Sequence, residues 1–195
     1  MLMTLDQTSD YETVRGTVVF FFTPDRLYRR EASRLRHSLR SLKLRFLGIE
    51  VDRSLDWSRT VLKKAAWVLQ VRETLRGPLL VVDSDAWFHA DPWPALRLVE
   101  ASVACGKNSA GKPMSGTVLV SDDDVARRIL ASWEGKCQET LERAGAHGNV
   151  PYELTDQFLL LEALQAHRVQ EQSDFVFLSE ALCYVRNKNP ESKGI

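Results

Sequence analysis

Apolar and polar positions along the 195-residue chain change period several times, and each change marks an element. Thr17 to Phe22 reads TVVFFF, a β-branched and aromatic run suited to a central strand. Thr23, Pro24 and Asp25 then turn the chain. From Arg26 to Lys43 the apolar residues Tyr28, Ala32, Leu35, Leu39 and Leu42 recur at spacings of four and three, which places them on one helical stripe. Arg45 to Val51, RFLGIEV, predicts a second strand. Ser58 next caps a helix whose Leu62, Ala65, Ala66, Leu69 and Leu75 face inward until Gly77 stops it. Leu79 to Val82 is continuously apolar and runs into Asp83, which predicts a third strand.

Strand, helix, strand, helix, strand at these lengths is the βαβ pattern, and the right-handed crossover rule turns it into a parallel sheet covered by helices. The second half is less regular. Ser102 to Cys105 and Thr117 to Val120 predict short strands around the loop GKNSAGKPMSG. Ser121 caps a helix that has Asp122, Asp123 and Asp124 in its first turn and buries Val125, Ile129, Trp133, Cys137 and Leu141, so a Ser121 to Asp124 capping box accounts for these charges. After a loop from Gly145 to Pro151, Thr155 opens a last helix to about His167, and Asp174 to Leu178 resembles a late strand. The expectation is one α/β domain over residues 17–185 with a mostly parallel central sheet flanked by helices, a polar leader over 1–16 and a charged tail over 186–195.

The length suits one domain with a substantial core. Lys plus Arg (26) balances Asp plus Glu (26), so no overall charge draws the chain to nucleic acid or to an anionic membrane. Cys105, Cys137 and Cys183 are odd in number and have no metal-ligand spacing, which fits reduced thiols in a cytoplasmic protein. No signal peptide and no membrane-length run is visible, so no membrane insertion is expected. His37, His89, His147 and His167 share no zinc spacing. The main local asymmetry is basic: Arg26, Arg29, Arg30, Arg34, Arg36, Arg40, Lys43 and Arg45 stand against the single acid Glu31. This reads as the solvated face of an amphipathic helix, with Arg26 close enough to the first strand to meet a phosphate. The other reading is a surface for a polyanionic acceptor such as nucleic acid, against which stands the lack of aromatic residues interleaved with the arginines.

Candidate chemistry concentrates at Asp83-Ser84-Asp85. A buried strand delivers these carboxylates to the carboxyl edge of the sheet, where open α/β folds bind ligands. Mg²⁺ and Mn²⁺ take such oxygens, typically one or two carboxylates with substrate phosphates completing the shell. Taken alone, the two aspartates also suit the start of a turn. Asp156, in the first turn after Thr155, likewise suits a helix N-terminus.

The segment LLVVDSDAWFHADPWPAL resembles the metal-binding segment of GT-A-fold glycosyltransferases: an apolar strand, Asp-x-Asp at Asp83 to Asp85, apolar or aromatic residues, then Asp91-Pro92. Ser115, Gly116 and Thr117 leading into VLVS resemble the small-residue strand that follows, Thr155-Asp156-Gln157 resembles the Asp-Gln element, and the helix with Lys63 and Lys64 resembles the one before the metal site. The resemblance implies a single GT-A-like (Rossmann-like) domain that moves a sugar from a nucleotide-diphosphate donor to an acceptor hydroxyl, with Mn²⁺ or Mg²⁺ assisting. It makes Asp85 a direct metal ligand, with Asp83 binding the ion through water or holding the ribose hydroxyls. Asp156 becomes either a general base or a residue that positions the acceptor, and Thr23, Arg26, Lys64, Ser115, Gly116 and Gln157 surround the donor. His147, in the loop before the Asp156 helix, reads either as a structural or solvated histidine or as one that touches an acceptor, and Asn187, Asn189, Ser192 and Lys193 read either as a solvated tail or as residues that close over the diphosphate. Two other readings are a haloacid-dehalogenase-like phosphohydrolase and a non-catalytic nucleotide-sugar-binding module. The first wants Thr or Val where Trp87 stands and its motif on the first strand.

Overall fold

A computed structural model describes residues 3–6, 16–54, 56–107, 113–145, 150–151, 154–171 and 176–178. Strands β1 (Met3–Asp6), β2 (Thr17–Phe22), β3 (Phe46–Glu50), β4 (Leu79–Asp83), β5 (Val103–Lys107), β6 (Pro113–Val120) and β7 (Val176–Phe177) form one sheet in the order β1-β3-β2-β4-β6-β5-β7. The centre, β3-β2-β4, is parallel as expected, because each connection carries a helix across the sheet. Beyond β4 the sheet turns antiparallel through β6 and β5, and β7 then pairs parallel with β5. The β5 to β6 connection is too short for a crossover, so these strands pair as a hairpin, and β6 in turn lies antiparallel to β4. The stretch read as a polar leader contains an element the sequence pattern did not mark: Met3–Asp6 pairs antiparallel with β3 at the sheet edge. Residues 7–15, His147, Cys183 and the tail with Asn187, Asn189, Ser192 and Lys193 lie outside the described residues.

Side chains alternate across the strands, and each face of the sheet has its own core. Val18, Phe20, Phe22, Leu80 and Val82 meet Ala32, Leu35 and Leu39 of α1 (Arg26–Ser41) and Trp93 and Leu96 of α4 (Trp93–Leu96). On the other face Val19, Leu47, Ile49, Leu79 and Val81 meet α2 (Trp57–Leu62), α3 (Lys64–Thr74), α5 (Asp124–Ala144) and α6 (Asp156–Glu171). The predicted stripe of α1 is the buried one, and Asp25 caps it by accepting from the Tyr28 N–H at 3.4 Å. Gly48 sits where only hydrogen fits, since a Cβ there would lie 2.5 Å from Phe20 Cζ. Gly48→Ala is expected to cost about 2 kcal/mol through overpacking, read as a lower urea midpoint with an unchanged m-value.

Two caps differ from the sequence reading. Asp56, not Ser58, caps α2, accepting from the Arg59 N–H at 2.7 Å, and the helix breaks at Lys63 before α3, which leaves Ala66 exposed. At α5 the Ser121 hydroxyl donates instead to the Ala101 carbonyl at 3.0 Å, so no capping box forms; Asp123 caps the helix through the Ala126 N–H at 2.7 Å. Asp122 bridges elements instead. It accepts from the Gly77 N–H at 2.8 Å and pairs with Arg127 at 2.6 Å and with the fully buried Arg72 at 3.4 Å. The Gly77 N–H bond and the two guanidiniums hold its pKa below the usual carboxylate range. A carboxylate depressed in the folded state stabilises above its unfolded pKa and loses that contribution as pH falls through the folded value. The stability advantage of the native protein over Asp122→Asn is therefore expected to be full at pH 6 and to shrink below about pH 4, measured by urea denaturation.

Candidate active site

β4 ends at the carboxyl edge of the parallel centre, where its alternation points Asp83 toward the α3 and α6 face. The break at Lys63 starts α3 at Lys64 and directs this residue under the strand end. Its ammonium is buried and donates to Asp83 Oδ1 at 2.7 Å and to the Ser115 carbonyl at 2.6 Å. The Ser115 hydroxyl donates to Asp156, which is only 5% exposed. One serine on β6 thus ties the lysine to the second carboxylate. Asp156 also accepts from the Gln157 N–H, while its own carbonyl accepts from Trp133 Nε1 at 2.8 Å. Burial raises the Asp156 pKa, opposed in part by Lys64 and Ser115. Burial alone would depress Lys64, but Asp83 and Asp156 outweigh it and its pKa rises. The unit is a cation clamped between two carboxylates.

Asp83 keeps more than half of its side-chain surface exposed, and Ser84 is buried beneath it. Its second oxygen, Oδ2, lies beside Gly116, where a Cβ would approach to 2.7 Å. That oxygen can move aside into solvent only by turning the carboxylate, which draws Oδ1 off Lys64. Gly116→Ala is therefore expected to swing Asp83 off Lys64 and to weaken stabilisation by Mn²⁺ plus a nucleoside diphosphate about tenfold in apparent affinity, measured by thermal shift.

The structure brings together Lys64, Asp83, Ser115, Gly116 and Asp156 and sets Gln157 against the last of them. Asp85 is exposed in the turn just past Asp83. Thr23 is buried, and its hydroxyl donates to the Asp25 carboxylate at 2.5 Å, so it braces the α1 cap. Arg26 is exposed in the first turn of α1. Lys64, which the resemblance sets around the donor, is buried and directed at Asp83 and the Ser115 carbonyl. Trp133 belongs to the site as well as to the core, since its indole N–H holds the Asp156 backbone; the apolar period finds the ring but not this bond. Among the described residues, no group of three or more His, Cys, Asp or Glu side chains is gathered for a metal. Cys105 and Cys137 are buried and form no disulfide among the described residues, and burial raises the Cys137 thiol far above its usual range. No described helix is long and apolar enough to cross a membrane.

No protein-family model matches the chain, and no curated protein matches it by sequence. Solved structures match it in fold. A glycosyltransferase involved in the glycosylation of the major capsid of PBCV-1 superposes with a TM-score of 0.57 at 12% identity, over 85% of this chain and 82% of that one. The glycosyltransferase GlyE of Streptococcus pneumoniae TIGR4 superposes with a TM-score of 0.52 at 14% identity, over 87% of this chain and 46% of that one. The fold is GT-A-like. This GT-A-like chain spans a little under half the length of GlyE. Its Asp83 to Asp85 turn lies at the carboxyl edge of the parallel strands, the edge at which open α/β sheets bind ligands.

Proposed function

We propose that the protein is a glycosyltransferase that moves a sugar from a nucleotide-diphosphate donor to an acceptor hydroxyl, assisted by Mn²⁺ or Mg²⁺ at Asp83 and Asp85. The observation that carries this reading is the Asp83–Lys64–Ser115–Asp156 unit at the strand end of a GT-A-like fold. The donor set fits a hard divalent ion, because the two positions supply carboxylate oxygens at an open edge, and such ions keep waters and substrate phosphates in their shell. When bound, the ion supplies Lewis-acid stabilisation of the charge that grows on the departing nucleoside diphosphate.

The chain's own residues do the rest. Lys64 fixes the Asp83 rotamer through Oδ1, so that carboxylate meets the donor already oriented. Ser115 orients Asp156 by hydrogen bond and the Lys64 charge steadies it, and its raised pKa brings it nearer to neutral pH, where a base works best. In this reading Asp156 takes the acceptor proton once substrate displaces the Ser115 hydroxyl. Arg26, exposed at the start of α1, meets the diphosphate, and the turn at Thr23 faces the nucleotide.

A screen of UDP-, GDP-, CMP- and TDP-sugars by thermal shift, with and without Mn²⁺, tests the proposal. The expected result is stabilisation by one nucleotide class only when the metal is present, with sugar released from that donor. Phosphate release from a substrate lacking a nucleotide would show a hydrolase instead, and nucleotide-sugar binding without any sugar release would show a binding module.

A further inference from the structure

Along α1 the exposed residues Arg26, Arg30, Arg34 and His37 fall at i, i+4, i+8 and i+11, which is one stripe of the helix about 16 Å long. The turn after β4 leaves Asp85 and crosses to this helix, where the Phe88 N–H meets Ser38 Oγ at 3.4 Å. That crossing sets Trp87 against the stripe. The Arg34 guanidinium lies 5.9 Å from the centre of the indole, and the rings of His37 and His89 flank it at 6.4 Å each. The indole remains 43% exposed, although it has close cationic and aromatic neighbours. Glu31 pairs with Arg34 at 2.7 Å and offsets part of its charge, but it is the one acid of the helix, so the exposed Arg26 and Arg30 keep the stripe basic.

Trp87 is two positions on from Asp85, with only Ala86 between them, so the indole's backbone stands no more than about 7 Å from that of the carboxylate. Resting on the transferase reading above, we infer that this stripe and Trp87 form the acceptor-docking surface, and that the acceptor is an anionic saccharide chain. Its acidic groups follow Arg30 and Arg34, one sugar ring lies flat on the Trp87 indole, and the next hydroxyl reaches Asp85's neighbourhood, while Arg26 at the end of the stripe stays with the donor. An indole face suits the apolar face of a sugar ring, and the cations beside it require charge on the ligand. A single platform of this kind does not favour nucleic acid, which needs a succession of stacking faces.

The test uses the whole chain and fluorescence polarisation with labelled oligogalacturonate and dextran sulfate oligomers, against a neutral malto-oligosaccharide and a single-stranded oligodeoxynucleotide. Binding of either acidic saccharide, falling with added salt and weakened about tenfold in Trp87→Ala, supports the inference, and Trp87→Phe should restore most of it. An Arg30→Gln/Arg34→Gln variant should bind less tightly and with a shallower salt dependence. Equal affinity for the neutral oligosaccharide, tighter binding of the oligodeoxynucleotide, or no binding at all overturns it. If sugar is released from a nucleotide donor and no acidic saccharide binds, the inference falls and the transferase reading stands. Trp87-dependent binding with no turnover of any sugar nucleotide removes both the transferase reading and the acceptor role.

Discussion

Asp85→Ala is expected to lower metal-dependent sugar transfer by on the order of a thousandfold while leaving the melting temperature nearly unchanged. The size follows from the chemistry. The leaving diphosphate gains charge as the glycosidic bond breaks, and losing one preorganised stabiliser of such charge typically costs a hundred- to a thousandfold. Fold stability should survive because Asp85 is exposed and stands apart from the two cores, where surface substitutions change stability by roughly half a kcal/mol or less. Asp83→Ala makes a poorer test, since it also strips Lys64 of its 2.7 Å partner and so perturbs the buried unit. The measurement is the rate of donor hydrolysis and transfer at saturating Mn²⁺, with thermal denaturation alongside. A folded Asp85→Ala protein that transfers at the native rate removes this carboxylate from the metal assignment.

What the sequence made legible divides along physical lines. β2, α1, β3 and β4 are visible because their apolar residues follow one period long enough to exclude the other, and each falls close to where the pattern put it. Met3–Asp6 carries no strand pattern, because four residues that pair only at a sheet edge give little apolar signal. The caps went to Asp56 and Asp123 instead of the nearby serines; several polar residues compete at each helix start, and tertiary bonds such as Ser121 to Ala101 decide which is free. In the site, Asp83 and Asp85 are readable from their place at a strand end, whereas the role of Lys64 is not. A lysine at a helix start looks solvated until the carboxylates that bury it, 19 residues away at Asp83 and on α6 at Asp156, are folded against it. The pairing of Trp87 with Arg34 is likewise a contact between a turn and a helix, so arginines that carry no interleaved aromatic in the chain acquire one in space.

Lys64→Met is the substitution expected to damage the fold most, by about 3 kcal/mol, because it withdraws the cation and leaves the buried Asp156 without its compensating charge. Asp83 contributes little to that cost, since more than half of its side chain is solvated and water replaces the lost partner. The Ser115 carbonyl contributes more. It loses the 2.6 Å bond from the ammonium in a buried setting, where an unmet acceptor costs on the order of 1 to 3 kcal/mol. The two sources of damage separate in a double-mutant cycle. Asp156→Asn removes the uncompensated charge but keeps the side-chain shape and the Ser115 contact, so Lys64→Met/Asp156→Asn should regain part of the stability that Lys64→Met loses. Asp156→Asn alone, in contrast, leaves Lys64 with Asp83 as its remaining carboxylate and should be destabilising in the native background. Urea midpoints of the four proteins at one pH give the coupling free energy directly. Strict additivity of the two single effects would mean that Lys64 and Asp156 do not sense each other, and the buried ion unit on which the site's preorganisation is argued would have to be abandoned.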